Sequence, residues 1–373
     1  MKSSLSLGSV FGIEIGIHYS WLFVFLLVSW SLAYGFFPQQ YPGWPGATYW
    51  IVGAIASLLL FVSVLIHELA HSLVAKSEGT PVRSITLFIF GGVSNITRES
   101  ENPKDEFIMA FVGPMSSVVL GVVCGTLWFV SGGFSEQVQA VLVYLAAINL
   151  LLAVFNMIPA FPLDGGRVLR ALLWWLTNNL RRATQIASQV GQGFAYVLIF
   201  GGLLWAFTGN ILSGLWLVFI GWFLNSAAEG SYRQMVTQET LKGMHVSDMM
   251  YKDVEVVDPE ATVRDLVERY ILPRNIRALP VVHDSELVGI VTLSDVRDVP
   301  QEMWDATRVA EIMTPKENLH VLAPQDDVVQ ALEALAEQDL NQLPVVDRGN
   351  VVGLITRGHI ISFLRVRQDL GVK

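Results

Sequence analysis

Six apolar runs constrain this chain more than any other feature of its 373 residues. They lie near 19–37, 51–74, 107–130, 138–160, 187–207 and 210–228. Each is close to or beyond the length that a helix needs to cross about 30 Å of hydrocarbon. With 52% hydrophobic residues, 15% charged residues, 11 Trp and 20 Phe, the chain reads as polytopic, not as a water-soluble globule. The runs all fall within residues 1–232, whereas residues 240–373 have the charge density and short alternation of a soluble domain. The polar stretch 233–242 separates them as a linker. The connections alternate in charge. Lys76, Arg83, Arg98 and Lys104 mark one basic loop, and Arg167, Arg170, Arg181 and Arg182 mark a second. The loops on the other side carry no Lys or Arg. The positive-inside rule then makes the N-terminus, both basic loops and the soluble domain cytoplasmic.

The second run contains His67-Glu68-Leu69-Ala70-His71. His-Glu-x-x-His sets two imidazoles one helical turn apart on one face, as two zinc ligands require, with a carboxylate beside the first. Charged and polar groups are costly in hydrocarbon and rarely sit there without function. The combination points to hydrolysis within the membrane. His67 precedes Lys76 by nine residues, or ~14 Å of helix, so the site lies nearer the inner face. A catalytic zinc site usually has three protein ligands and one open position. The third candidate is Asp164, in Asn156-Met-Ile-Pro-Ala-Phe-Pro-Leu-Asp164-Gly-Gly-Arg167 at the inner end of the fourth run. Pro159 and Pro162 break the helix before it, and Gly165 and Gly166 permit close backbone approach.

These two motifs, in order and on separate spans, resemble the site-2 protease family of intramembrane zinc metalloproteases, and the likeness covers residues 1–230. The resemblance implies that His67, His71 and Asp164 hold one Zn2+ per chain. It makes Glu68 general base and then acid, and gives Asn156 a role in positioning substrate or supporting the oxyanion. A hydrogen bond from Asn156 to a neighbouring helix is the alternative. In the third run, Gly113-Pro114-Met-Ser-Ser117 ends in Ser where relatives often have Asn, so no role is expected of Ser117. Arg167 and Arg170, with Trp174 and Trp175, read as markers of the cytoplasmic interface.

Residues 84–97 are too short to span as a helix, and they partly alternate. Gly91-Gly92 is a hairpin-turn signal, and residues 11–17 alternate as well. Both fit the small membrane-associated β element that the resemblance implies. Leu87, Phe88, Gly91 and Gly92 are then expected to present an extended substrate segment; a hairpin that only packs the domain is the alternative.

The tail repeats itself with a period of roughly 64 residues. Leu279-Pro-Val-Val282 and Leu287-Val-Gly-Ile-Val-Thr292 return as Leu343-Pro-Val-Val346 and Val351-Val-Gly-Leu-Ile-Thr356. This resembles a pair of CBS domains, an α/β fold, at 243–300 and 301–373. Such pairs often bind adenine nucleotides, with a Thr-x-x-Asp motif whose acid meets the ribose hydroxyls. Thr292 and Asp295 keep the motif, whereas His359 follows Thr356 in the second copy. One ATP, ADP or AMP site is therefore expected, with Arg277 either meeting a phosphate or simply solvated. A homodimerisation platform is the alternative role for the pair.

The expected molecule is thus a membrane endopeptidase that cuts transmembrane segments of substrate proteins in the lipid bilayer under CBS control. A CBS-regulated transporter or channel is the runner-up. The net charge of −9, with no basic stretch interleaved with aromatics, excludes nucleic acid as a partner. Cys124 is the lone cysteine and reads as a small packing residue.

Overall fold

The computed structural model describes residues 5–80, 82–89, 91–96, 100, 102–130, 135–337 and 340–370. The chain divides into two compact units, 1–233 and 234–373.

Among the described residues, six helical stretches are long and apolar enough to cross a membrane. The first, Tyr19–Gln40, combines α1 (Tyr19–Ser31), a π-helical turn at Leu32–Phe36 and α2 (Phe37–Gln40). The others are α3 (Gly46–Ser77), α4 (Pro103–Val130), α5 (Glu136–Asn156), α7 (Leu180–Phe207) and α8 (Ile211–Leu241). Between α5 and α7 lies α6 (Asp164–Thr177), a shorter amphipathic helix. Phe129, Phe207 and Leu212 are exposed, as side chains facing lipid would be. The fourth span stops at Asn156, earlier than the apolar run, because Pro159 and Pro162 follow. The α3 helix ends beyond its motif in a left-handed cap. Gly79 has φ +82°, and the Thr80 amide donates to the Ala75 carbonyl.

The β element is a four-stranded sheet in the order β1 (Leu5–Val10), β2 (Ile13–Ile17), β3 (Val82–Phe88), β4 (Gly91–Ile96). β2 and β3 run parallel, a pairing that needs a crossover. The helices α1 to α3 supply it, so α3 returns beside the sheet. Ile13 and Ile85 from the sheet pack with Ala75 of α3 and Met109 of α4 in one buried cluster. The hairpin turn differs from the sequence expectation. Phe88 pairs with Gly91 and Leu87 with Gly92, so both glycines are strand residues and the turn lies before them.

In the second unit, β5 (Ala278–His283) and β6 (Glu286–Thr292) form one hairpin, and β8 (Gln342–Asp347) and β9 (Asn350–Thr356) form another. Val281 faces Gly289 in the first and Val345 faces Gly353 in the second, as the repeat requires. The sheet order is β5-β6-β9-β8, with the short β7 (Thr314–Pro315) on β6. The cores do not follow the sequence halves. Val246 and Met249 pack with Val328, Leu343 and Ile355 of the second copy, whereas Val309 packs with Val263, Leu279 and Val291 of the first. The two copies thus exchange their leading segments. Residues read as a linker are helical almost throughout, since α8 runs to Leu241, which is buried in the second unit's core.

Candidate metal centre and its surroundings

His67 and His71 lie on the buried face of α3, and their Nε2 atoms are 3.2 Å apart. Asp164 Oδ2 lies 3.0 Å from His67 Nε2 and 3.2 Å from His71 Nε2. Three donor atoms from two distant segments therefore meet at one point. Both rings are held from behind. His71 Nδ1–H donates to the Met109 carbonyl at 2.6 Å, and His67 Nδ1 hydrogen-bonds Ser117 Oγ at 2.9 Å. An anchored Nδ1 fixes the ring and leaves Nε2 to bind a metal. Ser117, from which sequence reading expected nothing, thus anchors a candidate ligand and is fully buried. The only sequence signal was its place in Gly113-Pro-Met-Ser-Ser117, one stripe of the third span with Gly113.

Asp164 is the first residue of α6. The chain reaches it by a tight turn after α5, and Gly165 and Gly166 make that turn possible. An added Cβ at Gly165 would collide with the Met157 and Ile158 backbone; at Gly166 it would lie 2.6 Å from the Ala160 carbonyl carbon. Gly113 of α4 faces the donors themselves. An added Cβ there would overlap His71 Nε2 and lie 2.7 Å from His67 Nε2.

Glu68 meets the sheet. Ser94 Oγ of β4 donates to Glu68 Oε2 at 3.1 Å, and Ser72 Oγ donates to Ser94 Oγ at 3.1 Å. Gly92 has no side chain where a Cβ would lie 3.1 Å from Glu68 Cδ. β4 is also an outer strand of its sheet. Leu87 and Phe88 belong to β3, which lies between β2 and β4, and the Leu87 side chain is buried. They cannot offer a free edge, and Gly91 and Gly92 remain from the expected set. Asn156 ends α5, and its amide donates to the Leu152 carbonyl at 3.1 Å.

Arg170 also departs from expectation. It is 6% exposed, and its Nε donates at 2.6 Å to Oε1 of Glu106, itself 1% exposed. It is a buried ion pair between α6 and α4, not an interface marker.

In the second unit a cleft of about 1090 Å³ is lined by Arg277, Thr292, Arg274, Arg297 and Tyr251, among others. Asp295 does not line it. Its carboxylate accepts from Thr292 N at 2.7 Å and Thr292 Oγ1 at 2.8 Å, a capping box at the start of the following helix. In the second copy Thr356 Oγ1 accepts from the His359 amide, and the His359 ring stands edge-on to Tyr251 at 4.5 Å.

Comparison with known proteins agrees with both units. Peptidase family M50 matches residues 55–136 and 133–198, and the CBS domain matches 246–302 and 309–366. The relative named zinc metalloprotease Rip3 in Mycobacterium tuberculosis is 35% identical over 98% of this chain and 94% of its own length. The one named zinc metalloprotease sll0528 in Synechocystis is 35% identical over 98% and 96%. A solved site-2 protease from Methanocaldococcus jannaschii aligns with 61% of this chain and 94% of its own, at 31% identity and TM-score 0.43. The transporter reading finds no favour among these relatives. The chain belongs to peptidase family M50, as a multi-pass intramembrane zinc metalloprotease of the site-2 type with a CBS domain pair.

Proposed function

We propose that His67, His71 and Asp164 hold one Zn2+ per chain and that Glu68 is the general base for cleaving transmembrane segments of membrane proteins. The observation that carries this is the convergence of two imidazole nitrogens and one carboxylate oxygen at 3.0–3.2 Å. Two neutral imidazoles and one carboxylate form the three-ligand set of a catalytic zinc, and the Nδ1 anchors leave the Nε2 atoms free for it. Zinc bound there would supply Lewis acidity to a water and to the scissile carbonyl. Glu68 takes the proton of the attacking water on its carboxylate and returns it to the departing amide nitrogen. Ser94 fixes one carboxylate oxygen while this happens. Asn156 steadies the substrate beside the carbonyl under attack. The substrate, unwound from its helix, pairs with the free edge of β4 along Gly91–Ile96. The N-terminus, both basic loops and the second unit are cytoplasmic, so cleavage occurs toward the inner leaflet.

The test is zinc analysis and cleavage of a synthetic transmembrane peptide by full-length protein in detergent. Wild type is expected to carry about one zinc per chain, and His67→Ala to lose both zinc and cleavage. Gly or Pro near the cut site should speed cleavage, because each weakens the substrate helix by ~1–3 kcal/mol. Undiminished cleavage by His67→Ala would end the proposal, and indifference to helix breakers would remove the edge-strand pairing.

The CBS pair binds one adenine nucleotide (ATP, ADP or AMP) in the cleft beside Thr292 and Arg277, and occupancy alters cleavage. Arg277 meets a phosphate, and Thr292 faces the sugar. For Asp295 to bind a ribose hydroxyl it would have to leave the Thr292 contacts that now hold its carboxylate. Coupling requires the nucleotide to favour one arrangement of the pair over another. Calorimetry on the full-length protein should give about one site per chain, weakened about tenfold by Arg277→Ala. If none of the three nucleotides binds, the tail is a homodimerisation platform instead.

A further inference from the structure

One face of α4 serves the whole metal centre without contributing a ligand to it. Glu106, Met109, Gly113 and Ser117 recur at the spacing of a single helical stripe, and all four are buried. Three of their duties are described above. The Met109 carbonyl holds His71, Ser117 holds His67, and Gly113 leaves room for both Nε2 atoms. Glu106 holds no histidine. It holds α6, the helix that begins with Asp164.

We infer that Glu106 is a positioning residue for Asp164, acting through Arg170. The inference rests on the reading of Asp164 as a zinc ligand. Glu106 Oε1 accepts from both Nε and a terminal nitrogen of Arg170, and Arg167 Nε lies 3.9 Å from the same oxygen. Arg167 also reaches Met109 Sδ at 3.3 Å, so one residue of α4 touches both α6 and His71. The Arg170 guanidinium lies 5.2 Å from the Phe161 ring centroid, in the turn that delivers Asp164. The backbone of that turn is packed against Gly166 and Gly191. The pair therefore grips α6 about two turns after Asp164 and the approach segment just before it. Taking two charges out of water is a poor way to gain stability, and apolar residues of similar volume commonly serve as well or better. What a buried hydrogen-bonded ion pair can add is a specific register between two helices. Here that register decides whether the Asp164 carboxylate arrives beside His67 and His71.

This distinction sets the experiment. Full-length protein in detergent is compared as wild type, Asp164→Ala, Glu106→Asp, the double apolar variant Glu106→Met with Arg170→Met, and the reversed pair Glu106→Arg with Arg170→Glu. Zinc affinity by chelator competition, Tm, kcat and KM on a transmembrane peptide are measured for each. The double apolar variant should keep the wild-type Tm or exceed it, yet bind zinc about 10–100-fold more weakly, as loss of a supporting contact does. Its kcat should fall with KM within about twofold, since the substrate's own contacts are untouched. Glu106→Asp, which withdraws the carboxylate by one methylene, should move zinc affinity the same way, and the reversed pair should recover part of it. Wild-type zinc affinity in the double apolar variant and in Glu106→Asp would overturn the inference. So would zinc loss that merely follows Tm across the series. Asp164→Ala separates the two readings. If it keeps wild-type zinc affinity, the ligand assignment itself has failed; if it alone loses zinc, only the role of Glu106 has.

Discussion

Glu68→Gln is expected to lower kcat by about 10²–10⁴-fold, the usual contribution of a positioned general base and a barrier of about 3–5 kcal/mol. Zinc content should stay at the wild-type value. The two outcomes separate because Glu68 is not among the three converging donors, which are His67, His71 and Asp164. Gln keeps the size of the side chain and can still accept from Ser94 Oγ, so the contact with β4 survives. What it loses is the ability to take a proton from water at neutral pH. The measurement is single-turnover cleavage of a transmembrane peptide together with zinc per chain. A Glu68→Gln protein that cleaves like wild type would remove Glu68 from the chemistry. One that loses its zinc would mean that the carboxylate is a ligand.

Gly113→Ala should weaken zinc binding about 10–100-fold, and Gly113→Val further, because forcing atoms into a packed site costs ~1–3 kcal/mol or more. The added Cβ would overlap His71 Nε2, and both histidines are pinned at Nδ1, so neither ring can simply swing aside. Helix propensity acts in the opposite direction, since Ala favours a helix interior by about 1 kcal/mol over Gly. A loss of zinc with an unchanged or raised Tm therefore points to the site itself and not to a weakened helix. Wild-type zinc affinity in Gly113→Ala would contradict the close approach of α4 to the two Nε2 atoms.

The elements most legible in the sequence were those set by local periodicity. The His67–His71 spacing, the apolar runs and the duplicated hairpins of the tail each follow from one helical or strand repeat. Asp164 was reached from the expected topology, in which two spans end on the same side of the membrane. The supporting contacts were hidden for a physical reason. The Met109 carbonyl is a backbone atom and leaves no mark on residue identity. Ser117 and Glu106 matter only through partners 50 and 64 residues away along the chain. Arg170 was read as an interface cation because sequence shows its charge and not its burial. Gly91-Gly92 imitates a turn, but both are strand residues: Gly92 is needed where β4 approaches Glu68 closely, and Gly91 for its φ of +125°. Asp295 was assigned to a ribose, and the structure has it as the N3 partner in the capping box of its own helix, whose N-cap is Thr292; the Thr-x-x-Asp spacing suits either role.

The outer position of β4 also bears on how water, the second reactant of any hydrolysis, is delivered. Unpaired N–H and C=O groups on a strand edge cannot face hydrocarbon, where each would cost several kcal/mol. If the edge along Gly91–Ile96 is the open docking strand proposed above, its unpaired groups would need water before substrate arrives, next to the Ser94 that hydrogen-bonds Glu68. His67 and His71 are only 4% and 5% exposed, so under that docking the strand edge would be an approach for water to the site. A peptide that pairs with β4 exchanges those waters for its own backbone hydrogen bonds. Under the proposed docking, substrate binding would displace the water that hydrolysis consumes, and turnover would require the strand to be rehydrated after the products leave.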